Sequence, residues 1–62
     1  MEFNVEAMSC SHCVSVVTQT VRALDPLARV EVDLATHKVR VESTKPAQEV
    51  AKALAEAGYP AS

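Results

Sequence analysis

Polar and apolar residues alternate from the start of the chain. In "EFNVEA", Phe3, Val5 and Ala7 fall on one side and Glu2, Asn4 and Glu6 on the other, the two-residue period of a half-buried strand. "MSCSHC", residues 8–13, breaks the alternation as a loop, and the period then lengthens. Val14, Val17, Val21 and Leu24 recur at helical spacing, with Val16 beside the stripe and Thr18, Gln19 and Arg22 on the wet side. Ser11 is the expected N-cap, without a capping box because Val14 follows three residues on. This helix stops at or before Asp25, since the residue preceding Pro26 is pushed out of the helical region.

Alternation returns twice. "ARVEVDL" points Val30, Val32 and Leu34 inward, and "HKVRVES" does the same with Val39 and Val41. The short link through Thr36 and His37 makes these two runs a hairpin. "TKPAQEVAKALAEAG" is a second helix, with Thr44 as expected N-cap, Pro46 in its first turn and Gly58 as its stop. Its inward face carries Val50, Leu54 and Ala57, flanked by Ala47 and Ala51. Only "YPAS" remains, enough for an edge pairing and too little for an ordinary strand. The order is that of an α+β, ferredoxin-like βαββαβ sandwich: an antiparallel sheet with both helices on one face and a last strand that is very short or absent.

At 62 residues the chain is expected to be one domain, residues 1–62. Phe3 and Tyr59 are its only aromatics, and its six basic residues are scattered at a formal charge of −2. A nucleic-acid surface, which needs a basic patch or stacking aromatics, is not expected. No apolar run approaches the roughly 20 residues that span a bilayer, so membrane insertion is not expected. "MEFNVEA" lacks the pattern of a secretion signal, which points to a reducing, cytoplasmic setting.

The loop then matters more than the composition. "MSCSHC" sets a thioether, two thiols and an imidazole in six positions. Cys10 and Cys13, three apart where a loop opens a helix, can face the same side, and a helix N-terminus favours the thiolate form that binds metals. Soft thiolates select Cu(I) and, less exclusively, Zn(II). Cu(I) can be satisfied by two, whereas structural zinc usually takes four ligands, and no second Cys pair exists in the chain. Cys10 and Cys13 are therefore read as the metal ligands, both outside the core. Met8 is read as a core gap-filler tucked under the loop, Tyr59 as a partly buried ring with a wet hydroxyl, and His37 as a solvated turn residue. Helical steps of about 100° place His12 outward beside the thiol pair, not between its members.

"MSCSHC", following a strand and opening a helix, resembles the Met-x-Cys-x-x-Cys motif of heavy-metal-associated domains, chiefly the small bacterial copper chaperones and the N-terminal metal-binding domains of copper-transporting P-type ATPases. The likeness covers the whole chain, since "AEAGYPA" also resembles that family's last helix and following loop. Many members carry Gly before the Met, where this chain has Ala7. The resemblance implies Cu(I) on Cys10 and Cys13, Met8 packed below the loop and Tyr59 near the metal. It implies a soluble, non-enzymatic metallochaperone of copper homeostasis that passes its ion by thiolate exchange to a partner such as a copper-transporting P-type ATPase. The competing readings are a thiol–disulfide oxidoreductase, which Cys-x-x-Cys supports in principle, and a Zn(II) or Hg(II) carrier on the same fold. A copper-bridged homodimer, with His12 contributing only when two loops meet, is a further expectation.

Overall fold

A computed structural model describes all residues, Met1–Ser62. Its elements are β1 (Glu2–Asn4), α1 (Ser11–Leu24), β2 (Arg29–Asp33), β3 (Lys38–Glu42) and α2 (Ala47–Glu56). The strands form an antiparallel sheet in the order β1-β3-β2. The "YPAS" stub pairs at the other edge of β1, where Asn4 and Ser62 exchange both N–H···O bonds at 2.9 Å. The expected fourth strand is thus a single residue pair, and the ferredoxin-like arrangement is complete in outline.

Register explains which face the helices cover. Phe3 sits opposite Val39, Val32 opposite Val39, and Val30 opposite Val41, while Glu2 sits opposite Arg40 and Asp33 opposite Lys38. The first set turns towards the helices. The second makes a charged outer face on which Glu2 lies 3.7 Å from Lys38 and 3.6 Å from Arg40, exposed pairs of small energetic weight. Val17 and Val21 of α1 and Val50 and Leu54 of α2 close the core over Phe3, Val5, Met8, Val39 and Val41. Each fully buried Val or Leu contributes about 1.5–3 kcal/mol relative to exposure, which is how so short a chain holds its shape.

Several expectations change in detail. β1 is shorter than "EFNVEA" because the chain turns at Glu6 and Ala7; Ala7 is exposed, not inward. Leu34 also lies outside its strand and is exposed, because the Asp33 side chain accepts the Ala35 N–H at 3.0 Å and starts the hairpin turn. The N-caps are Cys10 and Pro46, one and two residues from the expected Ser11 and Thr44, and neither makes a side-chain cap bond. Pro46 suits this place because it has no N–H to leave unpaired. Ala47 is exposed, whereas Ala51 and Ala57 are half-buried. No helix is long and apolar enough to cross a membrane.

Candidate metal centre

Three segments converge at one end of the sandwich: the loop before α1, the turn between β2 and β3, and the chain leaving α2. The loop starts with a turn closed by Met8 N–H donating to the Val5 carbonyl at 3.2 Å. The Met8 side chain is fully buried beneath it, as expected of a gap-filler. Ala7 stands in this turn without strain. His37 is the one non-glycine residue with positive φ, so the Ala7 position needs no glycine.

Cys10 is the N-cap of α1, with extended φ of −152° and ψ of 169°. Cys13 is three residues inside the helix, and the two Sγ atoms stand 3.3 Å apart as free thiols. They are not equivalent. Cys10 is exposed, whereas Cys13 is 9% exposed and belongs to the core cluster. The expectation that both lie outside the core holds for Cys10 and fails for Cys13. The reason is the helical period: Cys13, Val17 and Val21 share one face of α1, and all three are buried.

Donors surround the buried sulfur. The Cys13 thiol is lowered to about 7, most by hydrogen bonding from the Tyr59 side chain, then by the Ser9 backbone and Cys10 side chain, with burial opposing. The same contact with Cys13 raises Tyr59, whose phenolate would face a neighbouring sulfur charge. Tyr59 is delivered by the end of α2. Gly58 adopts φ of 93°, Gly58 N–H donates to the Ala55 carbonyl at 3.0 Å, and Tyr59 N–H to the Leu54 carbonyl at 2.8 Å. These are the paired bonds of a Schellman stop, which needs a left-handed residue at this position. The glycine thus aims the tyrosine ring.

His12 is exposed in the first turn of α1, beside the pair as the helical angles indicated. No group of three or more His, Cys, Asp or Glu side chains is placed to share an ion. His37 departs from its expected role. It is partly buried, its Nδ1 donates to the Met8 carbonyl at 2.7 Å, and its own carbonyl accepts the Val5 N–H at 2.7 Å. Sequence reasoning missed it because Val5, Met8 and residue 37 meet only once β1 and β3 pair. The absence of an Asn-Gly or Asp-Gly pair in the hairpin link was the available hint: some other residue had to take the left-handed position.

The arrangement offers two soft donors, one exposed and one buried, at the mouth of a helix whose start has no side-chain cap. Residues 2–60 match the heavy-metal-associated domain family. The chain belongs to that family. Its heavy-metal-associated fold is similar to the copper chaperone CopZ of Enterococcus hirae, 36% identical over 97% of this chain and 91% of the relative. Among solved structures it is similar to a gold-binding protein, with 41% identity, 98% and 94% coverage and a TM-score of 0.96. A trimeric form of the copper chaperone Atx1 from Synechocystis superposes with a TM-score of 0.97, at 32% identity over 100% and 98% of the two chains.

Proposed function

We propose that residues 1–62 form a cytoplasmic carrier that holds copper as Cu(I) on Cys10 and Cys13 and gives it up by thiolate exchange. The observation that carries this reading is the unequal pair: two free thiols 3.3 Å apart, one exposed and one buried. Thiolate–metal bonds run about 2.3 Å for zinc, so an ion between the sulfurs needs them further apart. Cys10, at the rim, has the room to swing. Cys13, buried on the face of α1 that carries Val17 and Val21, stays. The ion is then gripped on the inside and open on the outside, where an incoming cysteine can bind before Cys10 leaves. Copper chaperones among the relatives support the cargo, and the resemblance supports a partner with a similar thiolate site, such as a copper-transporting ATPase.

A disulfide oxidoreductase would want an accessible thiolate as its nucleophile. Here Cys13 is buried, and the match of residues 2–60 to the heavy-metal-associated family supports carriage over catalysis. Zinc would lack two of its usual four ligands. Gold is the second cargo reading, favoured by the gold-binding neighbour and by the shared preference of soft ions for thiolates.

Metal analysis of protein purified without oxygen from copper-supplemented cells tests the proposal, together with titration against a Cu(I) chelator. One tightly held Cu(I) per chain, transferable to a second Cys-x-x-Cys protein, is the expected result. Zinc at one equivalent, or copper that the chelator strips at once, would overturn it.

A further inference from the structure

One residue brackets the turn that delivers the cysteine loop. Val5 N–H donates to the His37 carbonyl and His37 Nδ1 donates to the Met8 carbonyl, each at 2.7 Å. Val5 and Met8 are the two ends of the turn, and Met8 stands two residues before Cys10. A carbonyl oxygen can only accept, so Nδ1 carries the hydrogen and, in the neutral ring, Nε2 keeps its lone pair. His37 makes this reach from φ of 58°, a region that residues with a β-carbon seldom occupy. Such a conformation persists where its surroundings over-determine it, and the two short bonds do so here.

We infer that His37 is the positioning residue of the Cys10–Cys13 loop, fixing from the β2–β3 turn the point at which Ser9 and Cys10 leave the sheet. The inference rests on the reading of the two cysteines as the copper-holding pair. Met8 is held in three ways: by its buried side chain, by its N–H on Val5 and by its carbonyl on His37. Ser9 and Cys10 are then the only loop residues left to adjust before α1 begins. A loop set in advance loses less freedom when it closes on a ligand, so more of the binding energy appears as affinity. Without the imidazole, the Met8 carbonyl turns to water and the exposed thiol starts from a wider range of places.

Two variants keep the backbone while changing the bond. His37→Gly suits the positive φ and retains the carbonyl that takes Val5 N–H. His37→Asn tolerates the same conformation but carries a shorter donor. In the metal-free wild type, nitrogen NMR of the ring should show hydrogen on Nδ1. Amide exchange at Ser9 and Cys10 should quicken by up to about tenfold in His37→Gly, the scale of one lost hydrogen bond, and stay unchanged at Val41. Cu(I) affinity in chelator competition should fall about three- to tenfold, with His37→Asn in between. A residue that merely supports the fold would speed exchange throughout and leave the affinity of the folded protein alone. That pattern, or an Nδ1 without hydrogen, overturns the assignment. Ring and exchange measurements need no copper, so a wild type that fails to bind Cu(I) would sink the carrier reading while those two still decide the role of His37.

Discussion

The two ends of α1 are built on opposite plans. At its C-terminal end backbone and side-chain bonds fasten the helix to its surroundings. Asp25 N–H donates to Val21 and Ala28 N–H to Asp25. The Asp25 carboxylate accepts Leu27 N–H at 3.1 Å and the Ser43 hydroxyl at 2.6 Å, and Ser43 in turn accepts Lys45 N–H. One carboxylate thus ties α1 to the segment between β3 and α2, and these bonds hold its pKa below the usual carboxylate value. At the N-terminal end no side chain caps the helix. A thiol occupies the position where Ser or Asp would ordinarily bond the first N–H groups, and those groups are left to favour sulfur anions. Polar pairing at one end secures the helix; its omission at the other leaves the helix start free for ligand chemistry.

The largest effect that would break this contrast is at the cysteines. Cys10→Ser and Cys13→Ser should each abolish tight Cu(I) binding in chelator competition, and near-normal affinity in both would remove the ligand assignment. Their stabilities should diverge. Cys10→Ser places a good N-cap where none acts, a substitution class worth about 0.5–2 kcal/mol, so the metal-free melting temperature should hold or rise. Cys13→Ser sets a hydroxyl into the core edge and should lower it. Equal melting of the two variants would show that the thiols are not divided between rim and core.

Metal should act on the same end. Copper at 100 times its Kd stabilises a protein that binds only when folded by about 2.7 kcal/mol, less where the unfolded Cys-x-x-Cys also binds. Asp25→Ala should do the reverse at the other end, lowering the melting temperature while leaving Cu(I) affinity unchanged. A loss of affinity in that variant would mean that the two ends are not independent.

How far this division could be read beforehand depends on the range of the contacts. Alternation and helical period in Phe3–Val5, Val17–Val21 and Val39–Val41 set out the sheet and its covered face, because side-chain direction repeats locally. The Cys10–Cys13 pair was legible for the same reason, as was Met8 beneath it. The caps at Cys10 and Pro46 were misplaced, since neither uses the side-chain bond by which caps are recognised. The burial of Cys13 was misread because the polar neighbours of the loop concealed that it continues the Val17–Val21 stripe. His37 and the Asp25–Ser43 bond were out of reach: each joins residues distant in the chain, and only the paired sheet brings them together.

Acidity separates the ends more finely. Cys13 falls from 9.0 to about 7 on folding. A group depressed in this way adds stability that is full above its unfolded value and lost as pH falls through its folded one. The metal-free protein should therefore gain stability from about pH 7 to 9 at the thiol end, a slope absent in Cys13→Ser. Asp25 is also depressed, so its contribution is present at neutral pH and lost only as pH drops through and below the ordinary carboxylate range. Denaturation midpoints measured across both windows, without metal and under reducing conditions, check the two slopes. A flat profile between pH 7 and 9 in the wild type would contradict the lowered thiol.

The smallest expected effect concerns Tyr59, which joins the site from the end of α2. Its hydrogen bonding is the largest cause of the lowered Cys13 thiol, yet its ring is also packed against the core. Tyr59→Phe keeps the ring and removes the hydroxyl. The Cys13 pKa should then rise towards 9.0, read from thiolate absorbance against pH, while Cu(I) affinity shifts only slightly, because the ion itself favours the thiolate. Tyr59→Ala removes the shield as well, and copper transfer or thiol oxidation should quicken. If Phe leaves the thiol titration where it was, the hydroxyl does not act on Cys13. If Ala matches the wild type in both transfer and oxidation, the ring serves packing alone, and the unequal grip on the ion must come from the burial of Cys13 and the Ser9 and Cys10 donors around its sulfur.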